Sequence, residues 1–429
     1  MKTRLFLLTA LLLISLTTSL ASTPVKTLTE RATSVELSES NVAIAELRSL
    51  GPSGLDALMT HYANQIKAHV ENPTTGTTAE WHRITHALDA VSQQKNSYLS
   101  GLYWYKDLNE AKKAAAVGNK PILSLRLLGN LTDELSCANS RFFRTVLYPN
   151  KEVSSILRDQ FVLHWESVRP VPVVTIDFGD GRKLQRTITG NSIHYVLDSD
   201  GELIEALPGL YGPQAFTRAL LQAEQITRSI ANKDNLTRQQ TLKTYYRQQL
   251  SRISLDWYSD TRKIGGLQPA GIRVARNESG EAVQIMPLAI TKMETEASIL
   301  RGMMAASETL GRITDEAAWR KIARLHEADA VLDARSLSLI EMQNTQLSKQ
   351  EFNTLVNKFQ QAVALDTVRN EYLLHSKLYG WLMLQSQGSN LNQFNDKVYA
   401  ELFLTPRSDP WLGLLSADTY MALDQAGRK

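Results

Sequence analysis

The stretch Lys120-Pro121-Ile122-Leu123-Ser124-Leu125-Arg126-Leu127-Leu128, followed by the tetrad Cys137-Ala138-Asn139-Ser140, decides how this chain is read. A proline followed by a nearly continuous apolar run predicts a buried strand. Residues 129–136 form a loop, and Cys137 stands just ahead of a helix expected over 140–147. A helix start offers unpaired amides and the positive end of the helix dipole. A thiol placed there is favoured as thiolate, and its pKa can fall from about 8.5 to about 3.5–7.5. Arg141 and Arg144 lie in the next turns and add positive charge.

Outward from this core, 107–117 is an Ala/Lys-rich helix that Gly118 closes. A helix over 152–159 and a strand over 161–166 follow the cysteine. Residues 173–178 and 184–188 flank Gly179-Asp180-Gly181 and read as a hairpin. Strands at 193–197 and 203–207 come next, and Pro213 opens a helix that runs to about 230. Before this unit, 22–39 reads as a flexible leader. Residues 40–50 and 54–70 read as helices joined by Gly51-Pro52-Ser53-Gly54, with another helix over 79–97. After it the pattern is helical, at 236–263, 288–310, 315–343, 349–363, 366–387 and 391–402. The tail Thr405-Pro406 to Asp409-Pro410-Trp411 is expected to pack as extended chain and bury Trp411. The expected architecture is an all-α N-terminal segment (40–100), an α/β domain (103–230) and an all-α C-terminal domain (236–429).

The central unit resembles the thioredoxin superfamily, nearest to exported or processing-associated thioredoxin-like domains. The resemblance rests on Lys120-Pro121-Ile122-Leu123, Cys137-Ala138-Asn139-Ser140, Glu152-Val153 with Phe161-Val162, and Val196-Leu197-Asp198-Ser199-Asp200-Gly201. The helix opened by Pro213 completes it. It implies a thioredoxin-like fold over 103–230, with Cys137 and Ser140 in the active-site slot facing the turn at Ser192. Two departures matter. Thioredoxin-like reductases carry Cys-x-x-Cys, whereas Ser140 holds the second position here. The family's usual proline opposite the cysteine is replaced by Asn191-Ser192. A Cys-x-x-Ser site can form a mixed disulfide but has no second thiolate to resolve it.

The start of the chain reads as a secretory signal peptide over 1–21. Lys2 and Arg4 supply charge, 5–16 is an apolar run, and Ser19-Leu20-Ala21 offers a cleavage site. The expected location is therefore periplasmic or extracellular, with no membrane span once this segment is removed. Net charge is only +3, with 43% hydrophobic and 21% charged residues, so composition gives no reason to expect a nucleic-acid partner. One cysteine excludes an internal disulfide.

Two functions follow from these residues. In the first, Cys137 holds a partner sulfur, with Ser140, Arg141, Arg144 and Ser192 in support, and the partner is a protein or thiol. In the second, the fold is a redox-silent scaffold that binds a partner. A third centre, for acid–base or metal chemistry, is His326 with Asp333, two turns apart on the apolar stripe of 315–343 with Asp329 beside them. Two polar residues do not complete a metal shell, so the expected role there is structural. His82 and His86, one turn apart, read as a surface or interface pair. Trp81, Tyr103, Trp104 and Tyr105 read as core at a domain junction. No motif implies a cofactor or a bound metal.

Overall fold

The computed structural model describes residues 24–71, 78–187, 189–265, 314–384 and 390–409. Its centre is a mixed five-stranded sheet. The strands are β1 (Trp104–Tyr105), β2 (Ile122–Leu128), β3 (Val162–Arg169), β6 (Ser192–Leu197) and β7 (Leu203–Pro208), in the order β1-β3-β2-β6-β7. β1 and β2 run parallel to β3, whereas β6 is antiparallel to β2 and β7 to β6. β4 (Val173–Asp177) and β5 (Lys183–Thr187) form a separate two-stranded ribbon. Gly179 and Gly181 both have positive φ in the turn joining them.

Every residue of β2 is buried, as its apolar run predicts. Its two polar members find partners: Ser124 Oγ lies 2.8 Å from His164 Nδ1, and the Arg126 guanidinium pairs with Glu166. α6 (Leu108–Gly118) connects β1 to β2. α7 (Ala138–Phe142), a π turn over Phe143–Leu147, and α8 (Lys151–Gln160) connect β2 to β3. Asn150 caps α8, its Oδ1 accepting the amides of Glu152 and Val153, each at 3.1 Å. Asn150→Ala should cost about 1–2 kcal/mol, read as a lower urea midpoint, and Asn150→Asp should recover most of it.

On the N-terminal side are α1 (Val25–Arg31), α2 (Leu37–Ser49), α3 (Pro52–His61), α4 (Ala63–Glu71) and α5 (Ala79–Ser92). Three expectations change here. The supposed leader contains α1, with Leu28, Thr29 and Ala32 buried, because Tyr62 and α2 give that segment an apolar face to pack on. The helix expected over 54–70 breaks at Tyr62 into α3 and α4. The helix expected over 79–97 stops at Ser92, where Gln93 takes the left-handed conformation. Asp89 then gathers the amides of Asn96 and Ser97.

After β7 come α9 (Pro213–Ile230), α10 (Asn235–Lys263), α11 (Glu316–Leu325), α12 (Ala334–Gln343), α13 (Lys349–Arg369), α14 (Ser376–Leu384) and α15 (Leu391–Lys397). π turns over Asn370–His375 and Val398–Leu402 follow α13 and α15. The helix expected over 315–343 is two helices, separated by a short 3-10 turn at Glu327–Ala330. Conversely, the two helices expected over 349–363 and 366–387 join: α13 runs through position 365 and passes into α14 by way of a π turn. No Pro or Gly stands near 364 to stop it. The C-terminal helices and the sheet share one continuous hydrophobic core, in which Trp257, Trp319 and Tyr372 cluster. The expected helix 288–310, Trp411 and the signal segment 1–21 lie outside the described residues. No helix among the described residues is long and apolar enough to cross a membrane.

Candidate functional site

Cys137 lies beyond the end of β2 and is the N-cap of α7, the position the sequence suggested. The Ser140 amide donates to its sulfur at 3.4 Å. The Ser140 hydroxyl has no hydrogen-bond partner among the described residues. Ser192, at the start of β6, faces the same helix: Asn139 Nδ2 donates to Ser192 Oγ at 2.6 Å. Gly190 packs so closely that a Cβ there would lie 2.9 Å from Asn139 Oδ1 and 3.1 Å from its amide nitrogen.

The two arginines are engaged elsewhere. Arg144 donates to the carbonyls of Asp133 and, at 2.8 Å, Glu134, and so holds the loop before the cysteine. Arg141 donates to Thr187 Oγ1 at 3.1 Å, and that hydroxyl donates to Ser136 O at 3.2 Å. Burial lowers the pKa of both guanidinium groups, while Cys137 works the other way on each. Residues 399–409 close this region. Tyr399 donates to Asn191 O at 3.1 Å, and Asn191 Nδ2 donates to Thr405 Oγ1 at 3.1 Å. Arg169 donates to the carbonyls of Thr405, Pro406 and Asp409. Burial, and then the nearby Cys137, push the Tyr399 phenol well up. Cys137 itself is 0% exposed.

His326 and Asp333 are not brought together. His326 ends α11, whereas Asp333 is the N-cap of α12 and accepts from Ser336 N at 2.9 Å and Lys151 N at 2.8 Å. The 3-10 turn between them breaks the helical register that put them on one stripe. His326 Nε2 instead lies 2.6 Å from Asp260 Oδ2, and Nδ1 lies 3.5 Å from Asp329 Oδ2. Arg218 grips Asp329 with both terminal nitrogens, at 2.6 and 2.8 Å. Burial pushes the Asp329 carboxyl up, but His326 and Arg218 outweigh it and hold the pKa at about 2. No group of three or more His, Cys, Asp or Glu side chains is arranged to hold a metal among the described residues. His82 and His86 are exposed, and Trp104 is buried with its indole nitrogen 2.9 Å from Gln94 Oε1.

A buried polar cluster around Glu205 is one that sequence reasoning missed. Glu205, in the middle of β7 and 1% exposed, accepts from four groups. Oε1 lies 2.8 Å from the Ala206 amide and 3.1 Å from His375 Nε2. Oε2 accepts the hydroxyls of Tyr245 at 2.6 Å and Tyr379 at 3.0 Å. Burial, and then Glu205, raise both tyrosine pKa values well above the ordinary value. A cavity of about 20 Å³ adjoins the cluster, lined also by Tyr211, Arg218, Arg252 and Glu371. That is room for about one water, not for a substrate. A carboxylate inside the apolar run Leu203-Ile204-Glu205-Ala206-Leu207 was the available sequence signal.

The chain matches no protein-family model, no curated protein and no solved structure.

Proposed function

We propose that this chain is an exported, redox-silent protein with a thioredoxin-like scaffold, and that it works by binding a partner rather than by thiol chemistry. The observation that carries the reading is the burial of Cys137. Its sulfur is withdrawn from solvent and serves as the cap of α7. A thiolate must meet its partner sulfur to exchange with it, and burial in apolar surroundings favours the neutral thiol. The sheet order, with β6 alone running against the other four strands, supports the thioredoxin-like reading of 103–230. Arg141 and Arg144 serve the loop and the ribbon in this reading. Export rests on residues 1–21.

The test is alkylation. Cys137 in the folded protein should react about a thousandfold more slowly than in urea, because reaction must wait for local opening. Rapid single-site labelling at mildly acidic pH, abolished by Cys137→Ser, would replace this reading with the thiol-linked one.

A further inference from the structure

We propose that His326 is a pH-sensitive clamp, closed when its ring carries two protons, that ties α10 and the π turn after α13 to the 3-10 turn gripped by α9. Both ring nitrogens face carboxylate oxygens, Asp260 at 2.6 Å and Asp329 at 3.5 Å. A neutral imidazole has one N–H and one lone pair. It can therefore satisfy one carboxylate only, and it turns its lone pair towards the other. The doubly protonated ring presents a donor to each.

The two carboxylates lead to different parts of the fold. Asp260 belongs to α10 and is also held by Lys263 at 2.9 Å and by the Tyr372 hydroxyl, from the π turn after α13, at 2.7 Å. Asp329 belongs to the 3-10 turn and is held by Arg218 of α9, the helix that follows β7. The closed clamp is thus a continuous chain from α9 through Asp329, His326 and Asp260 to Tyr372.

The groups around the ring decide which member titrates. Asp260 and Lys263 face it from α10, and Tyr372 faces it from the π turn, its hydroxyl 3.4 Å from Nε2. Asp329, with Arg218 behind it, faces Nδ1, and Glu327 is the next residue in the chain. Each carboxylate keeps a cation of its own when the ring is neutral. Arginine and lysine stay charged and the aspartates stay ionised between pH 5 and 8, so His326 is the one member whose charge changes there. The contact with Asp329, and then that with Asp260, raise the His326 pKa against the effect of burial. A raised folded pKa fixes the sign. The stabilisation is fully present below about 6.5, the ordinary imidazole value, and fades as pH rises through the folded value. Higher pH opens the clamp and lower pH closes it.

The experiment uses the full chain with labelled histidine. Long-range proton–nitrogen spectra follow both ring nitrogens of His326 through a pH titration, with the resonance assigned by its loss in His326→Gln. Both nitrogens should be protonated at pH 6, and the midpoint should lie above the unfolded value. Hydrogen exchange, corrected for intrinsic rate, is then compared at pH 6 and pH 8.5 for peptides covering 256–263 and 327–333. Protection should fall about three- to tenfold at the higher pH in the wild type and stay level in His326→Gln. A midpoint at or below about 6.5, or the same pH-dependent loss in His326→Gln, overturns the proposal. If His326→Gln does not fold, the wild-type titration still decides. Asp329→Asn then supplies the second reading: it should lower the midpoint, and an unchanged midpoint also overturns the proposal.

Discussion

Glu205→Ala is expected to lower the stability of the protein by about 3–5 kcal/mol, a large share of what holds a domain folded. The carboxylate is the common acceptor of Tyr245, Tyr379, His375 and the Ala206 amide. Removing it strands three side-chain donors in the core, and each buried group left without a partner costs about 1–3 kcal/mol. The loss exceeds that for an exposed carboxylate because the cavity beside the cluster has room for about one water, too little to replace four hydrogen bonds. Glu205→Gln keeps the shape and one acceptor oxygen but turns an amide N–H₂ towards groups that themselves donate. It should cost less than alanine, yet clearly more than a surface substitution. Urea unfolding followed by far-UV circular dichroism measures both. A change under about 0.5 kcal/mol for Glu205→Ala, the scale of an ordinary surface substitution, would contradict the burial of the cluster.

The second large effect is expected at Gly212, the N-cap of α9. A Cβ there would overlap the carbonyl oxygen of Asp329 and lie 2.7 Å from its carbon and 2.9 Å from the Cα of Ala330. All three atoms are backbone, so no side chain can swing aside. Gly212→Ala should force α9 away from the 3-10 turn and cost about 3 kcal/mol, at the upper end of overpacking effects. It should also loosen the Arg218–Asp329 grip, because that pair joins the same two elements. Gly380→Ala is the matching control. It lies inside α14 and its new Cβ would meet no heavy atom within 4 Å. There alanine should stabilise by about 0.5–1 kcal/mol, the usual gain over glycine in a helix. Thermal or urea melts that rank the two substitutions in the opposite order would contradict the packing at Gly212.

Local chemistry made some of this legible in advance. The apolar run 122–128 could hardly be anything but a buried strand, and Gly179-Asp180-Gly181 marked the ribbon turn through its need for positive φ. Cys137 was placed correctly at a helix start because the strand and helix patterns bracket it. The site was less legible because its partners come from far along the chain. Nothing near Ser140 shows that its amide, not its hydroxyl, would reach the sulfur. Nothing near Cys137 shows that Tyr399 and Thr405 would close over Asn191. The stripe that joined His326 to Asp333 assumed an unbroken helix. Asp333, an N-cap residue type, was the one local hint of a restart, and the apolar periodicity ran past it without a gap. Glu205 is a charge within a strand that the sequence reading passed over, and its acceptor role depends on residues up to 174 positions away.

That separation has a consequence for how the chain matures. At about 5–20 residues per second, synthesis from Glu205 to His375 takes on the order of ten seconds. Through that interval β7 carries a carboxylate whose imidazole and second phenol do not yet exist. Tyr245 arrives 40 residues after Glu205, and His375 follows only at 170. The loop around Asn191 waits longer still, 214 residues, for Thr405. A nascent chain in this state keeps one edge of its sheet hydrated and unfinished, so the last fifth of the sequence completes the middle. Contacts of such long range make for slow folding and prolong the exposure of apolar surface.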